Sequence, residues 1–299
     1  MKYSEATLSA WTSPLSQTEE QRAENTVRMI KDAVTAYDKL SDCTMRIFVQ
    51  GSYANNTNVR QNSDVDLCVM LTSTFFCNYV EGKTDADYGY TSGSITYLDY
   101  KSHIIEALKC KFGNDAVSVG NKSIKIESNS YHVNADVIPA FQYRDYKIIS
   151  SIDPTKYVEG ICYFAADSTK VINYPYDHIN NGKQKNNSTN YEYKKLVRIM
   201  KHIRNDMVDD GNAIGDTITS FLIECLIWNV PNDTIMGSNT WARTVQTAIA
   251  YLWKSINDEN HQNWGEVSER LYLFHPGRKW TAAGTKDFLS DMYHYIEFN

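Results

Sequence analysis

Two aspartates, Asp64 and Asp66, constrain this chain more than any other feature of its sequence. They open a segment, residues 64–71, in which apolar residues alternate with others as in a β-strand with one buried face. Side chains two apart in a strand leave the same face, with Cα atoms roughly 6.5 Å apart. Because two such carboxylates repel each other without a counter-ion, the pair predicts a cation site, and oxygen ligands favour Mg²⁺ or Mn²⁺.

A glycine and a serine, Gly51 and Ser52, come directly after another predicted strand, residues 45–50. Glycine allows a ligand to approach the backbone closely, and the neighbouring N–H groups together with the Ser52 hydroxyl are suited to phosphate oxygens. The sequence therefore predicts a phosphate-binding turn, followed by a polar loop over residues 55–63, upstream of the two aspartates.

A third carboxylate, Asp136, lies in a later predicted strand, residues 131–138, which we expect to end at Pro139. If this strand neighbours residues 64–71, the three carboxylates converge. Three carboxylates can hold two Mg²⁺ ions about 3.5–4 Å apart, as in-line phosphoryl displacement requires.

The rest of the chain predicts an α+β fold. A capping box formed by Ser16 and Glu19 begins a long helix expected over residues 17–40, ahead of the strands. The polar tract 180–190 is interpreted as a surface crossing between two lobes. Beyond it the pattern is helical, with a stripe at Leu196, Met200, Ile203 and Met207. We expect a mixed-sheet lobe over 1–180 fused tightly to a mostly helical lobe over 181–299, with the active-site cleft between them.

Composition excludes several functional classes. With 30 Lys and Arg against 36 Asp and Glu the formal net charge is −6, which disfavours a protein that coats nucleic acid. No apolar run approaches the roughly 18 residues that span a bilayer, and the N-terminus lacks the apolar core of a secretory signal. The six cysteines form no metal-binding or disulfide pattern. The sequence therefore predicts a cytoplasmic protein with reduced core thiols and no membrane partner.

The spacing of these motifs resembles the nucleotidyltransferase superfamily related to DNA polymerase β, whose pattern is Gly-Ser, about ten residues, Asp-x-Asp or Asp-x-Glu, and a distal carboxylate. Here the motif reads GSYANNTNVRQNSDVDL over 51–67. More narrowly, the chain is similar to the bacterial CD-NTases, relatives of cyclic GMP-AMP synthase, and to their E clade. The supporting stretches are HVNADVIPAF over 132–141, residues 173–205 and TSFLIECLIWNVPN over 219–232.

The resemblance implies a role for each matching residue. Asp64, Asp66 and Asp136 would bind the metal ions, and Gly51 and Ser52 the donor phosphates. Lys201 would contact the donor triphosphate, Ser220 would hydrogen-bond a phosphate, and Phe221 would stack on a base. Lys194, Arg198 and Lys201 also share one face of a predicted helix, which is equally typical of a solvated basic surface.

As a function, the resemblance implies a cyclic dinucleotide synthase that joins two nucleoside triphosphates, releases pyrophosphate and makes a second messenger for anti-phage (CBASS) defence. Its product would contain uridine, as in cyclic UMP-AMP, or would be cyclic di-GMP. A monomer is expected, with no stable nucleic-acid partner and a downstream effector that receives the product. Two alternatives stay open: a linear, template-independent nucleotidyltransferase acting on RNA, and an inactive nucleotide-binding module.

Overall fold

The computed structural model describes residues 1–59, 64–212 and 217–298. Residue contacts divide the chain into two compact units. The sheet unit comprises Ser16–Ala54 and the long segment that ends at Tyr176, and the helical unit comprises Met1–Leu15, a short segment that begins at Asn55, and the chain from Asp177 onward. The N-terminal residues therefore belong to the same unit as the C-terminal helices.

The described elements alternate between strands and helices in the first half of the chain and are helical in the second. The strands are β1 (Met45–Val49), β2 (Val65–Asn78), β3 (Val117–Val119), β4 (Ile124–Ile126), β5 (Ala135–Asp145), β6 (Val158–Phe164) and β7 (Lys170–Asn173). The α-helices are α1 (Glu5–Ala10), α2 (Gln17–Thr35), α3 (Gly51–Asn55), α4 (Tyr97–Phe112), α5 (Pro175–Ser188), α6 (Glu192–Asp209), α7 (Ser220–Trp228), α8 (Asn232–Met236), α9 (Trp241–Asn257) and α10 (Ala282–Ile296). This is the predicted α+β class.

The long N-terminal helix begins where its sequence predicts. The Ser16 side chain accepts from the backbone N–H of Glu19, and the Glu19 side chain accepts from the backbone N–H of Ser16, which confirms the capping box. The helix ends at Thr35, not near residue 40, and a separate 3₁₀ turn covers Asp38–Leu40. Buried Ile30 and Val34 lie on its inner face.

Within the described residues of the sheet unit, seven strands form one mixed sheet in the order β1-β2-β5-β4-β3, and β6 joins β5 and carries β7. The pair β2 and β5 is parallel and every other pair is antiparallel. β2 and β5 therefore lie side by side at the centre, as the convergence of Asp66 and Asp136 requires.

Strand β5 continues through Pro139 instead of ending there, so that expectation is wrong. On one side of β5, pairing with β4 ends at Val137 and pairing with β6 begins at Phe141. Pro139 lies in the interval between those two partners, where a missing N–H breaks no ladder bond on that side. On the other side Pro139 is opposite Val69 of β2.

The two faces of the sheet differ at the start of its central strands. Leu67 of β2, Val137 of β5 and Ile124 of β4 are fully buried in one cluster with residues of α2 and α4. Asp66, Asp136 and Lys125 alternate with these buried residues and are partly or fully exposed. Since successive side chains of a strand point to opposite faces, the charged residues lie on the face away from that cluster.

The helical unit is built around α6, whose predicted apolar stripe of Leu196, Met200, Ile203 and Met207 is fully buried. The tract 180–190, expected as a surface crossing between two lobes, is largely exposed or half-buried, but its residues up to Ser188 are helical in α5 and not an irregular connection. Its polar side chains make tertiary bonds: the Asn181 amide donates to the Val267 carbonyl. No helix in the described ranges is both long and apolar enough to cross a membrane.

Candidate active site

The glycine of the predicted phosphate turn is fixed by its contact with Asp66. Gly51 follows β1 directly and has φ +65°, in the left-handed region that favours glycine. A Cβ at this position would lie 2.1 Å from Oδ2 of Asp66. The backbone N–H of Gln50 also donates to the carbonyl of Asp66 at 2.9 Å. The turn and the second aspartate of the pair are therefore assembled as one piece.

The residues that follow the turn are helical, since α3 begins at Gly51 itself, where a turn and then a polar loop were expected. Ser52 is half-buried in that helix. Positions 60–63 of the expected loop lie outside the described residues. Asn55, Thr57 and Asn58 are buried, which a solvated loop would not predict.

Asp66 and Asp136 are direct neighbours across the parallel pair of β2 and β5. Their side chains are half-exposed on the same face of the sheet, on strands about 4.8 Å apart. Asp64 lies just before β2 and is exposed, and the backbone N–H of Val65 donates to the Asn134 carbonyl at 2.9 Å. The structure thus pairs two of the three predicted carboxylates and places the third at the entrance of the same strand.

Ser123, which the sequence did not predict as a site residue, contacts the Asp136 carboxylate on β5. The Ser123 hydroxyl, just before β4, donates to Oδ1 of Asp136 at 2.8 Å. No sequence motif predicts a role for Ser123, because its contact with Asp136 depends on the antiparallel pairing of β4 with β5. The bond fixes the orientation of the carboxylate that faces the shared surface.

The donor set suits a hard divalent cation. Carboxylate oxygens of Asp66 and Asp136 share an accessible face, and Oδ2 of Asp66 fills the space that a Cβ at Gly51 would take. Over residues 1–59, 64–212 and 217–298, no group of three His, Cys, Asp or Glu side chains is gathered tightly enough to hold a metal ion. The two neighbouring aspartates fit such an ion, and participation of Asp64 requires its exposed side chain to turn toward them.

Lys201, expected at the donor triphosphate, is 2% exposed and lies in the helical unit. Its ammonium donates to Oε2 of Glu224 at 3.0 Å and to the carbonyl and hydroxyl oxygens of Thr57, both at 3.1 Å. An ammonium group has three protons, and these three bonds use all of them. Lys201 can therefore reach a phosphate only by exchanging one of these partners.

Glu224 is the centre of this buried network, and no sequence motif pointed to it. Its carboxylate also accepts from the Thr57 hydroxyl at 2.7 Å and lies 3.0 Å from Nε2 of His178. Burial alone raises the pKa of the Glu224 carboxyl, but Lys201, His178 and Thr57 outweigh that effect and hold the pKa well below its ordinary 4.5. The network is thus a desolvated ion pair that stays charged.

The two residues expected beside the nucleotide in the helical unit lie at the start of α7. Ser220 is exposed as the first residue of the helix, after the capping residue Thr219. The Phe221 ring is half-buried, with centroids 5.6 Å from the His178 ring and 5.9 Å from the Trp280 ring. Gly51, Ser52 and the aspartates belong to the sheet unit, and Lys201, Ser220 and Phe221 to the helical unit.

Three further side chains, those of His132, Arg278 and Trp280, have partners within the protein. His132 is 3% exposed and its Nδ1 lies 3.2 Å from the Val133 carbonyl. Arg278 pairs with the buried Glu266 through its Nε at 2.6 Å and lies over the Phe221 ring. Trp280 is buried and its indole N–H donates to the Leu273 carbonyl, so Arg278 and Trp280 both have hydrogen-bond partners within the protein.

Comparisons with known proteins cover both units of the chain. Residues 27–151 match the family profile described as nucleotidyltransferase domain, and residues 180–297 match that of the cGAS/DncV-like nucleotidyltransferase C-terminal helical domain. The chain is similar to a cyclic dipyrimidine nucleotide synthase CdnE of Cecembia lonarensis, with 41% identity and 99% of each chain covered. It is also similar to the cyclic GMP-AMP synthase CdnE03 of Staphylococcus schleiferi, with 36% identity over 100% of this chain and 98% of the other.

A solved structure has the same fold over its full length. The CdnE cyclic dinucleotide synthase of Elizabethkingia meningoseptica, determined with GTP and Apcpp, superposes with a TM-score of 0.83 and 31% identity, covering 99% of this chain and 100% of that one. The likeness therefore includes both the sheet and the helical parts.

Proposed function

The chain belongs to the CD-NTase family of nucleotidyltransferases, and on that premise we propose that it joins two nucleoside triphosphates into a cyclic dinucleotide with release of pyrophosphate. The observation that carries this proposal is the pairing of Asp66 with Asp136 beside the Gly51 turn. Two carboxylates on one open face, next to a turn that only glycine fits, are the groups that phosphoryl transfer needs.

In the proposed reaction a ribose hydroxyl of the acceptor nucleotide attacks the α-phosphorus of the donor. One P–O bond forms, the bond from the α-phosphorus to the β-phosphate oxygen breaks, and the hydroxyl proton passes to the Asp136 carboxylate and then to solvent. Pyrophosphate leaves with the electron pair of the broken bond. A second round on the linear intermediate, with the two nucleotides in exchanged roles, closes the ring.

The chain's own residues orient these groups. The Gly51 turn and the Ser52 hydroxyl receive the donor phosphates, and Ser123 keeps the Asp136 carboxylate directed at the acceptor side. Asp64, Asp66 and Asp136 would hold two Mg²⁺ ions, or Mn²⁺ in their place, which when bound supply charge stabilisation at the phosphates and ease deprotonation of the hydroxyl. Contacts of Lys201, Ser220 and Phe221 with the donor are part of the same proposal, and for Lys201 they require exchange of a bond to Thr57 or Glu224.

We propose a uridine-containing, dipyrimidine-type product. The supporting argument is the 41% identity to a relative named as a cyclic dipyrimidine synthase. The relative named for cyclic GMP-AMP is less similar at 36%, and its product is a competing outcome of the experiment below. We also propose that the product is a second messenger in anti-phage defence and is bound by a separate effector. The protein is proposed to be a cytoplasmic monomer, with its two lobes divided at residue 180.

The test is incubation with Mg²⁺ or Mn²⁺ and all four labelled nucleoside triphosphates, followed by phosphatase treatment and mass spectrometry. We expect a phosphatase-resistant product that contains uridine, and none from the double variant Asp64→Asn with Asp66→Asn. Products that phosphatase degrades completely would identify a linear transferase. Stoichiometric nucleotide binding without pyrophosphate release would identify an inactive module.

A further inference from the structure

A lysine lies on the same open face as the paired aspartates. Lys125 is the central residue of β4 and is exposed, whereas Ile124 and Ile126 on either side of it are buried. Lys125 is the direct neighbour of Asp136 across the antiparallel pair of β4 and β5. Because Asp136 is in turn the neighbour of Asp66, the three residues form one row across three adjacent strands.

One contact in the sheet unit shows that a side chain next to β4 on this face reaches Asp136. Ser123 is two residues before Lys125, on the same face, and its hydroxyl bonds to Oδ1 of Asp136 at 2.8 Å. Strands about 4.8 Å apart put the Lys125 backbone about 10 Å from that of Asp66. A flexible four-carbon stem can then place an ammonium over the space in front of the carboxylates.

The ammonium of Lys125 is available for a ligand. Among the described residues no carboxylate oxygen lies within 4.0 Å of it, and its neighbour Asp136 is bonded to Ser123 instead. Its stem lies beside Gly120 on the β3 side of β4, where a Cβ at Gly120 would lie 3.6 Å from Cε of Lys125, so contact with a ligand in front of the aspartates requires the side chain to turn toward β5. A cation beside two carboxylates that pairs with neither is suited to an anion that arrives with the substrate.

The position of Lys125 in the row formed with Asp136 and Asp66 indicates which anion of the substrates it would bind. The Gly51 turn follows β1, on one side of Asp66, and Lys125 lies on the other side, beyond Asp136. In an in-line displacement the attacking oxygen and the leaving pyrophosphate are on opposite sides of the phosphorus. If the donor phosphates lie at Gly51, the acceptor nucleotide comes from the side of Lys125. We therefore propose that Lys125 binds the 5′-phosphate groups of the acceptor nucleotide, an inference that rests on the function proposed above.

The experiment separates acceptor from donor with 2′,3′-dideoxy-UTP at saturation, which can donate but has no hydroxyl to attack. Acceptor UTP is varied, and the linear dinucleotide that ends in the dideoxy residue is quantified by mass spectrometry. We expect Lys125→Ala to raise the KM for the acceptor about tenfold, with kcat changed less than twofold. Lys125→Arg, which keeps the cation, should recover most of that loss.

Lys122→Ala is the matched control, because Lys122 is exposed in the same hairpin three residues earlier and its loss removes the same charge. It should leave the acceptor KM unchanged. A second arm replaces acceptor UTP by UMP. The wild-type preference for the triphosphate in kcat/KM should fall about tenfold in Lys125→Ala, since the lysine acts on phosphate.

Three results would overturn the assignment: equal acceptor KM values in the two alanine variants, a loss in kcat alone, or wild-type enzyme that uses UTP and UMP equally well. The proposed function fails separately, when wild-type enzyme forms no dinucleotide from any pair of nucleotides. Linear product formed by wild type and by Lys125→Ala with equal acceptor KM contradicts only the role of the lysine.

Discussion

Gly51 and Asp66 are packed so closely that a Cβ on the glycine would lie 2.1 Å from Oδ2 of the aspartate. The glycine also has φ +65°, so a side chain there meets both backbone strain and the carboxylate. The contact ties the predicted phosphate turn to the predicted metal ligand and makes both sensitive to one methyl group.

We expect Gly51→Ala to lower the rate of pyrophosphate release at least about 100-fold, because displacement of a reacting group by about 1 Å costs that much. Gly82→Ala is the matched control: Gly82 has φ +76° and no atom within 4 Å of an added Cβ. Both variants carry the strain of a left-handed alanine, about 1–2 kcal/mol, and only the first meets the carboxylate. Similar activities in the two variants would show that the Gly51 contact has no catalytic consequence.

The paired aspartates should be needed for metal binding and not for folding. Asp66→Asn and Asp136→Asn each remove one of two neighbouring negative charges and keep the size of the side chain, so both variants should fold with a melting temperature near that of the wild type without metal. Mn²⁺ should raise the melting temperature of the wild type and shift that of either variant much less. Exposed Asp115→Asn serves as the control. An unchanged Mn²⁺ response in both site variants would contradict the metal assignment.

Ser123 should act as a positioning residue through its bond to Asp136. Ser123→Ala frees the Asp136 carboxylate to rotate. We expect kcat to fall about tenfold with little change in KM, a smaller loss than the roughly 100-fold or more that a general base contributes. Ser123→Thr keeps the hydroxyl and should restore most of kcat. A change confined to KM, or no difference between alanine and threonine, would argue against orientation of the carboxylate by this bond.

Local sequence signals predicted the parts of this molecule that depend on local physics. The Ser16 capping box, the α6 stripe and the aspartate spacing each follow from one helix or strand. The polar tract 180–190 is helical up to Ser188, and its Asn181 and Lys185 side chains donate to distant carbonyls, which composition does not reveal. Pro139 failed because the interval between β4 and β6 exists only in the assembled sheet.

The same limit applies to the candidate site. A spacing pattern predicted Asp66, Asp136 and Gly51 as site residues, and the structure places Asp66 beside both of the others. Ser123 and Glu224 were not found because each acquires its partner through strand pairing or helix packing. Lys201 was expected near phosphate, and its buried bonds join it to Thr57, 144 residues earlier in the chain, and to Glu224, 23 residues later.

The ion pair of Lys201 and Glu224 makes the stability of the protein depend on pH in a defined direction. The folded-state pKa of Glu224 lies below its unfolded value of about 4.5. A depressed carboxyl pKa contributes stability that is fully present above about pH 4.5 and is lost as the pH falls toward the lower folded-state pKa. Glu224→Gln removes this contribution and leaves Lys201 buried without a counter-ion, at a cost of about 3 kcal/mol at pH 7.

We expect denaturant titrations at pH 7 to show this difference in the free energy of unfolding between wild type and Glu224→Gln. The difference, called the gap below, should narrow as the pH falls from about 4.5 toward 3. Glu259→Gln is the control, because Glu259 is exposed in the same unit. It should track the wild type at every pH. A gap that stays constant between pH 7 and pH 3 would mean that the charge on Glu224 does not stabilise the fold. Equal stability of both variants at pH 7 would mean that the buried ammonium finds another partner.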